Sequence, residues 1–249
     1  MSEALVVRAD SDHVATLTIN RPDKLNALNH AVFVELRAHL EAIAGDDGVG
    51  CVVLTGAGRS FCAGHDLSSI DSSVDADGST PTEDFEPATL DLLESLPKPT
   101  IARITGHCYT GGLELALACD LLVAGASARM GDTHGQWGLV PAWGMSVRLP
   151  ERVGYSTAKK LMFTSRRITS DVALSIGLVD EMVADEDLDA TVAALAAEIV
   201  ANSWGTNRID KYLLASARTM PRDAALLRER TFPFGIPTDM AERMARSSS

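Results

Sequence analysis

The stretch Thr105–Asp120, TGHCYTGGLELALACD, governs the reading of the whole chain. Gly111-Gly112 is followed by Leu113, Leu115, Ala116, Leu117 and Ala118, a run that suits a buried helix. Two residues without Cβ at a helix start let another group approach the first turn. There the backbone N–H groups lack intrahelical acceptors, and the positive end of the helix dipole favours developing negative charge. Glu114 lies in that turn, and two readings fit it: a carboxylate favoured by the dipole, or an acid/base group beside an oxyanion site.

On the N-terminal side, 5–8 and 13–19 read as strands of a hairpin turning through Asp10-Ser11-Asp12. Asn29 then suits an N-cap, and Val32, Phe33, Leu36, Leu40 and Ile43 recur at helical spacing up to Gly45. Residues 51–54 form a short buried strand, 66–82 read as a surface loop and 83–96 as a helix ended by Pro97-Lys98-Pro99. Strands at 100–104 and 121–124 flank the central stretch. After Pro141 the pattern is mostly helical, with helices near 144–149, 156–163, 170–176, 188–202, 207–219 and 222–230 and one strand near 179–183. Alternating strands and helices give an α/β class, and no short repeat period is present.

The chain has 249 residues, enough for one large domain or a main domain with an appendage. With 34 Asp and Glu against 22 Lys and Arg it is acidic, which argues against general binding of nucleic acid or membrane surfaces. Cys51, Cys62, Cys108 and Cys119 sit in or beside apolar segments without metal-ligand rhythm, so buried free thiols in a reducing compartment are expected. No leader pattern and no apolar run long enough to span a bilayer is present, and a cytoplasmic location is expected.

Several motifs fail at once. Gly56-Ala57-Gly58 follows a strand as a dinucleotide fingerprint would, but Phe61 stands where the third glycine belongs. There is neither a G-x-S-x-G elbow nor a phosphate-binding G-x-x-x-x-G-K-[ST]. His65, Asp66, His107, Cys108 and His134 lack zinc-site spacing, so no metal is expected. Two glycine-containing turns remain, Ser60–Leu67 (SFCAGHDL) and Gly111–Glu114 (GGLE), each after a strand. Turns at the ends of neighbouring strands can each offer one N–H to a common oxygen, and one such donor is worth about 3 kcal/mol in a transition state.

Arg21-Pro22-Asp23-Lys24-Leu25-Asn26-Ala27-Leu28, Phe61–Leu67 (FCAGHDL), Gly106–Glu114, Cys119-Asp120, Gly131, Gly138-Leu139-Val140-Pro141 and Gly177-Leu178-Val179-Asp180 occur in order. Together they closely resemble the enoyl-CoA hydratase/isomerase (crotonase) superfamily over most of the chain. The resemblance implies a spiral of ββα units over residues 1–201, with a helical trimerisation and lid region over 202–249. It also implies an acyl-coenzyme A thioester as substrate, no separate cofactor, and assembly as a homotrimer or a dimer of trimers. On matching positions, the N–H groups of His65 and Gly111 would hold the thioester oxygen. Lys24, Ala27, Ala63, Gly64, Asp66 and Leu67 would line the coenzyme A site, with a solvated loop lysine equally open for Lys24. Gly112, Tyr109, Trp137 and Leu139 would border the acyl group, with simple packing equally open for the two aromatic residues.

Hydratases of this superfamily usually carry two glutamates. The first matches Glu114; the second falls on His134, in Gly131-Asp132-Thr133-His134. Histidine exchanges protons near neutral pH and could share the task with Glu114, or serve as a hydrogen-bonded structural residue. Asp132 reads as a loop carboxylate. The region matching the lid is short, ending in Met244-Ala245-Arg246 and three serines, and Arg208, Lys211, Arg228 and Arg230 are candidates for phosphate contacts. Three activities are compatible with this pattern: hydration of a 2-enoyl-CoA by Glu114 and His134; isomerisation, decarboxylation or thioester hydrolysis through the same enolate; and coenzyme A binding with little catalysis.

Overall fold

The computed structural model describes residues 3–67 and 85–246. Strands β1 (Val6–Ser11) and β2 (Val14–Ile19) form the expected hairpin, but its turn is Asp12-His13, both with positive φ (50° and 67°). Such a two-residue turn matches the right-handed twist of the strands, which therefore run longer than their apolar pattern suggests. Helix α1 (His30–Ala44) is capped by Asn29, whose Oδ1 accepts from the Val32 N–H at 3.1 Å. Its five expected apolar residues, from Val32 to Ile43, are buried. Strand β3 (Cys51–Gly56) is buried on both faces, as central parallel strands are.

After β3 the chain repeats one manoeuvre. Helix α2 (Phe85–Ser95) leads to β4 (Thr100–Ile104), then β5 (His107–Tyr109), then α3 (Gly111–Leu117). Next come β6 (Leu121–Gly125), β7 (Arg129–Gly131) and the short α4 (His134–Trp137). Each unit therefore runs from a long strand to a short strand to a helix. The long strands join a six-stranded sheet of order β1-β2-β3-β4-β6-β9, parallel beyond the first pair, with β9 at Glu181–Val183. The short strands β5 and β7 form a second sheet with β8 (Ile168–Thr169). Residues 60–65 extend this layer: Cys62 bridges Cys108, and the Cys62 N–H donates to the His107 carbonyl at 2.9 Å. The strands of the second sheet are too short to leave a periodic signal, and none was expected from the sequence.

Helix α5 (Met145–Thr164) merges the two helices expected near 144–149 and 156–163. Gly154, with φ 75° and ψ 154°, breaks its geometry between them. Arg148 on α5 is buried; it donates to Asp91 and Glu94 of α2 and to the Trp143 carbonyl, fixing the loop that leads into α5. Helix α6 (Ser170–Ser175) precedes β9, and α7 (Leu188–Ala201) covers the far side of the main sheet. There Leu188, Val192 and Ala196 pack on Cys51, Val53, Ile101 and Val123. All four cysteines are free and buried; burial pushes the thiols of Cys51, Cys62 and Cys119 up to about 12 and that of Cys108 well above its ordinary value. The loop read over 66–82 and the start of the helix read at 83 lie mainly outside the described residues.

The C-terminal helices are α8 (Trp204–Thr219), α9 (Arg222–Arg230) and α10 (Met240–Arg246). Trp204 fills the space that a Cβ on Gly50 would need, and its ring meets His13 at 5.1 Å. Lys211 Nζ donates to Asp120 Oδ2 at 2.7 Å and to the Lys98 carbonyl at 3.1 Å. His13, Gly50, Lys98 and Asp120 each lie just before a strand of the main sheet, so α8 runs along the N-terminal ends of those strands. Helix α10 is tied to the same end by Ser203–Asp239 and by Arg243 to the Ala201 carbonyl. Lys211, a candidate phosphate contact from the sequence, is instead committed to an ion pair anchoring α8. Arg228 lies over the Phe234 ring. A cleft of about 610 Å³ beside Lys211 is bordered by Asp120, Arg152, Ile199 and Leu214, at the opposite end of α3 from Gly111.

Candidate active site

Two chain segments meet at the start of α3. In the first, Leu28 pairs with the 60–65 layer: its N–H donates to the Gly64 carbonyl and its carbonyl accepts from the Asp66 N–H. Because backbone groups alternate in direction along an extended strand, the N–H of His65 between them points to the opposite side, toward α3. Gly64 makes this path possible, having a φ of 107° and a position where a Cβ would come within 2.9 Å of Thr110 Oγ1. In the second, Gly111 opens α3, and its first-turn N–H has no acceptor within the helix. A Cβ on Gly111 would stand 3.4 Å from the His65 nitrogen, so the two residues are neighbours at the start of α3.

Thr110, just before, carries φ 49° and ψ −117°, a conformation that costs a non-glycine residue about 1–3 kcal/mol. It is held there by its N–H to the Gly131 carbonyl (3.0 Å) and by Oγ1 against Thr133 Oγ1 (3.2 Å). These bonds clamp the segment carrying Asp132 and His134 to the start of α3.

Glu114, one turn into α3, is 1% exposed. Its Oε1 accepts the N–H groups of Trp143 (3.0 Å) and Met145 (3.1 Å). Burial pushes its carboxyl above the ordinary range, against the pull of the Met145 and Trp143 amides and of His134. With Oε1 engaged, Oε2 faces His134 Nε2 at 3.8 Å. That is too long for a direct hydrogen bond and is a separation that one water could bridge. On the other side of the ring, His134 Nδ1 lies 2.5 Å from Asp132 Oδ1, which also accepts the His134 N–H at 3.1 Å.

The sequence-derived residues divide clearly. His65, Gly111, Glu114 and His134 converge, and Gly112 lies behind them, where a Cβ would strike the Cys62 carbonyl at 2.3 Å. Asp66 is buried and paired with Arg21 Nη2 at 2.8 Å; Ala27 and Ala63 are half-buried, the Ala63 N–H donating to the Leu25 carbonyl at 3.0 Å, while Lys24 and Leu67 are exposed. Tyr109 is not among the converging groups. Its ring stacks on His107 (5.3 Å) beneath the Arg167 guanidinium (5.0 Å), on the outer face of the small sheet. Trp137 is 58% exposed, so simple packing within this chain does not describe it, and Leu139 is half-buried beside it.

Trp143, unmarked by any motif, is the site's central aromatic residue. Its ring lies 5.1 Å from that of His65 and 4.9 Å from that of Phe33, and its Cζ3 would sit 2.4 Å from a Cβ on Gly111. The burial that this stack imposes lowers the His65 imidazole below its ordinary value, against the charges of Glu86 and Asp66. The neutral form of the His65 side chain is therefore favoured more than that of a free imidazole.

Residues 9–232 match the family described as enoyl-CoA hydratase/isomerase. A probable peroxisomal enoyl-CoA hydratase 1 of Arabidopsis thaliana is 38% identical over 82% of this chain and 76% of its own length. The short-chain-enoyl-CoA hydratase of Clostridium acetobutylicum is 36% identical over 89% of this chain and 85% of its own. The crystal structure of an enoyl-CoA hydratase from Bacillus anthracis superposes with a TM-score of 0.92 at 30% identity, covering 98% of this chain and 96% of that one. A spiral of strand–strand–helix units followed by C-terminal helices is thus shared with solved relatives, and the chain belongs to the enoyl-CoA hydratase/isomerase family.

Proposed function

We propose that the protein is an enoyl-CoA hydratase that adds water across the 2,3 double bond of an acyl-coenzyme A thioester. The observation carrying this reading is the pair of proton-exchanging side chains, Glu114 Oε2 and His134 Nε2, 3.8 Å apart beside the neighbouring amides of His65 and Gly111. A water held between the two side chains adds its oxygen to C3. The π electrons move onto the thioester oxygen, where the two amides stabilise the enolate. The proton released by water returns to C2, so the enzyme ends as it began and no redox partner or separate cofactor is needed.

The segment 21–28 and residues Ala63, Gly64, Asp66 and Leu67 would carry the coenzyme A portion, with the Arg21–Asp66 pair stiffening its wall. Helix α10 lies at the far end of the sheet from these residues. A roof over the coenzyme A would therefore come from a neighbouring subunit, which supports a homotrimer or a dimer of trimers. No helix among the described residues is long and apolar enough to cross a membrane, and a cytoplasmic location accords with four buried free thiols.

The test is incubation with crotonyl-CoA and a panel of acyl-CoA thioesters, following enoyl absorbance and product mass. Wild-type protein should hydrate crotonyl-CoA, and His134→Ala should lower kcat about a hundredfold. If crotonyl-CoA binds but is left unchanged, the hydratase reading fails. His134 in place of the second glutamate would then favour another reaction through the same enolate: isomerisation, decarboxylation or hydrolysis.

A further inference from the structure

Asp132, a loop acid by sequence, is 2% exposed and has Oδ1 committed to His134 through both the ring Nδ1 and the backbone N–H. A buried carboxylate so placed is costly unless its charge is used, and its position bears on which nitrogen of His134 carries the proton. With Nδ1 donating to Asp132, a neutral imidazole has its lone pair on Nε2, the nitrogen that faces Glu114. Two acceptors then confront each other across 3.8 Å. A water between them donates one hydrogen to Glu114 Oε2 and the other to His134 Nε2, and its oxygen lone pairs are left to face the substrate. With the opposite tautomer, Nε2 would carry a hydrogen instead of a lone pair, and the water would lose one of its two orienting acceptors.

We infer that Asp132 is a positioning residue that fixes the Nδ1–H tautomer of His134, making the Asp132–His134 pair act as a second carboxylate-like acceptor opposite Glu114. The inference rests on the hydration reading for its kinetic consequence, but its structural content stands apart from the reaction. Asp132 touches no substrate; it acts through the ring. The O–H bond of water breaks as its oxygen bonds to C3, and when the proton goes to Nε2 the Asp132 carboxylate balances the resulting imidazolium. The same proton then passes to C2, restoring the neutral ring.

The test compares wild type with Asp132→Asn, which keeps the shape and removes the anion. Long-range ¹H–¹⁵N spectra of the histidine rings should give the Nδ1–H pattern for His134 in the wild type, assigned by its loss in His134→Ala, and a mixed or Nε2–H pattern in Asp132→Asn. With crotonyl-CoA, kcat should fall about ten- to a hundredfold while KM stays within about twofold, because Asp132 touches no substrate and acts on the ring that takes the proton. A wild-type spectrum showing Nε2–H overturns the inference even if Asp132→Asn fails to fold. Unchanged kcat and tautomer in the variant overturn it while leaving hydration intact. Absence of hydration by the wild type refutes the activity, and the spectra still decide the role of Asp132.

Discussion

Replacing Glu114 by Gln lowers kcat about 10²–10⁴-fold, the range typical of a lost acid/base group, while coenzyme A thioesters still bind. The substitution suits the question because Gln keeps an oxygen to accept the Trp143 and Met145 amides and removes only the group facing His134. The same variant should be more heat-stable than wild type at pH 7. The Glu114 carboxyl is raised by burial, so its ionised form is less welcome in the folded chain than in the unfolded one. A raised carboxyl gives its full contribution to stability below its unfolded value, and loses it as the pH climbs through the folded one. The neutral amide avoids that loss, and the advantage should shrink as the pH is taken below the ordinary carboxylate range. Kinetics with crotonyl-CoA and thermal melts at pH 7 and pH 4 check both parts. Undiminished turnover would remove Glu114 from the chemistry, and a variant less stable at pH 7 would contradict the assigned cost of the buried charge.

The second large effect is expected at Gly111. An alanine Cβ there would stand 2.4 Å from Trp143 Cζ3 and 3.4 Å from the His65 nitrogen, so it intrudes between the ring and the His65 amide. Trp143 can swing only by giving up its contacts with Phe33 and His65. Gly111→Ala should fold and lose about 10²–10³-fold in kcat/KM, the consequence of misplacing one oxyanion donor. Gly112→Ala is the contrasting variant. Its Cβ would meet the Cys62 carbonyl oxygen at 2.3 Å, a backbone atom with no rotamer to change, so it should lower the melting temperature as well as the activity. Wild-type kcat/KM in Gly111→Ala would show that the two amides do not carry the reaction.

Much of this arrangement was legible in the residues. Helix α1 was marked by Asn29 and five apolar residues at helical spacing, because capping and burial on one face leave a regular trace. The glycine pair before Glu114 announced a helix start that something must approach, and the blocks around Lys24, Gly64 and Gly138 carried the family. Trp143 and Asp132 were not legible in the same way. Trp143 contributes an amide and a ring at the entrance to α5, and no spacing rule records a loop that folds back on another helix. Asp132 gains its meaning only from a turn that brings its carboxylate onto a ring two residues away. The short strands of the second sheet hold together through Thr105, Cys62 and Gly106, whose partners are distant in sequence, so a local pattern had no means of registering them. Tyr109, for which a place beside the acyl group and simple packing were both open, lies on the face of β5 that it shares with His107, because strand alternation puts residues two apart on one side.

The four cysteines supply a chemical clock. Burial raises all four thiols well above their ordinary value, so they stay protonated at pH 8, and only the thiolate reacts quickly with an alkylating reagent. The four sulfurs mark three seams: Cys51 beneath α7, Cys62 and Cys108 together between the layers behind Gly112, and Cys119 at the end of α3 near α8. Timed alkylation read peptide by peptide would therefore record the order in which these seams part, and loss of activity on such treatment would mark opening of the molecule rather than a reactive thiol.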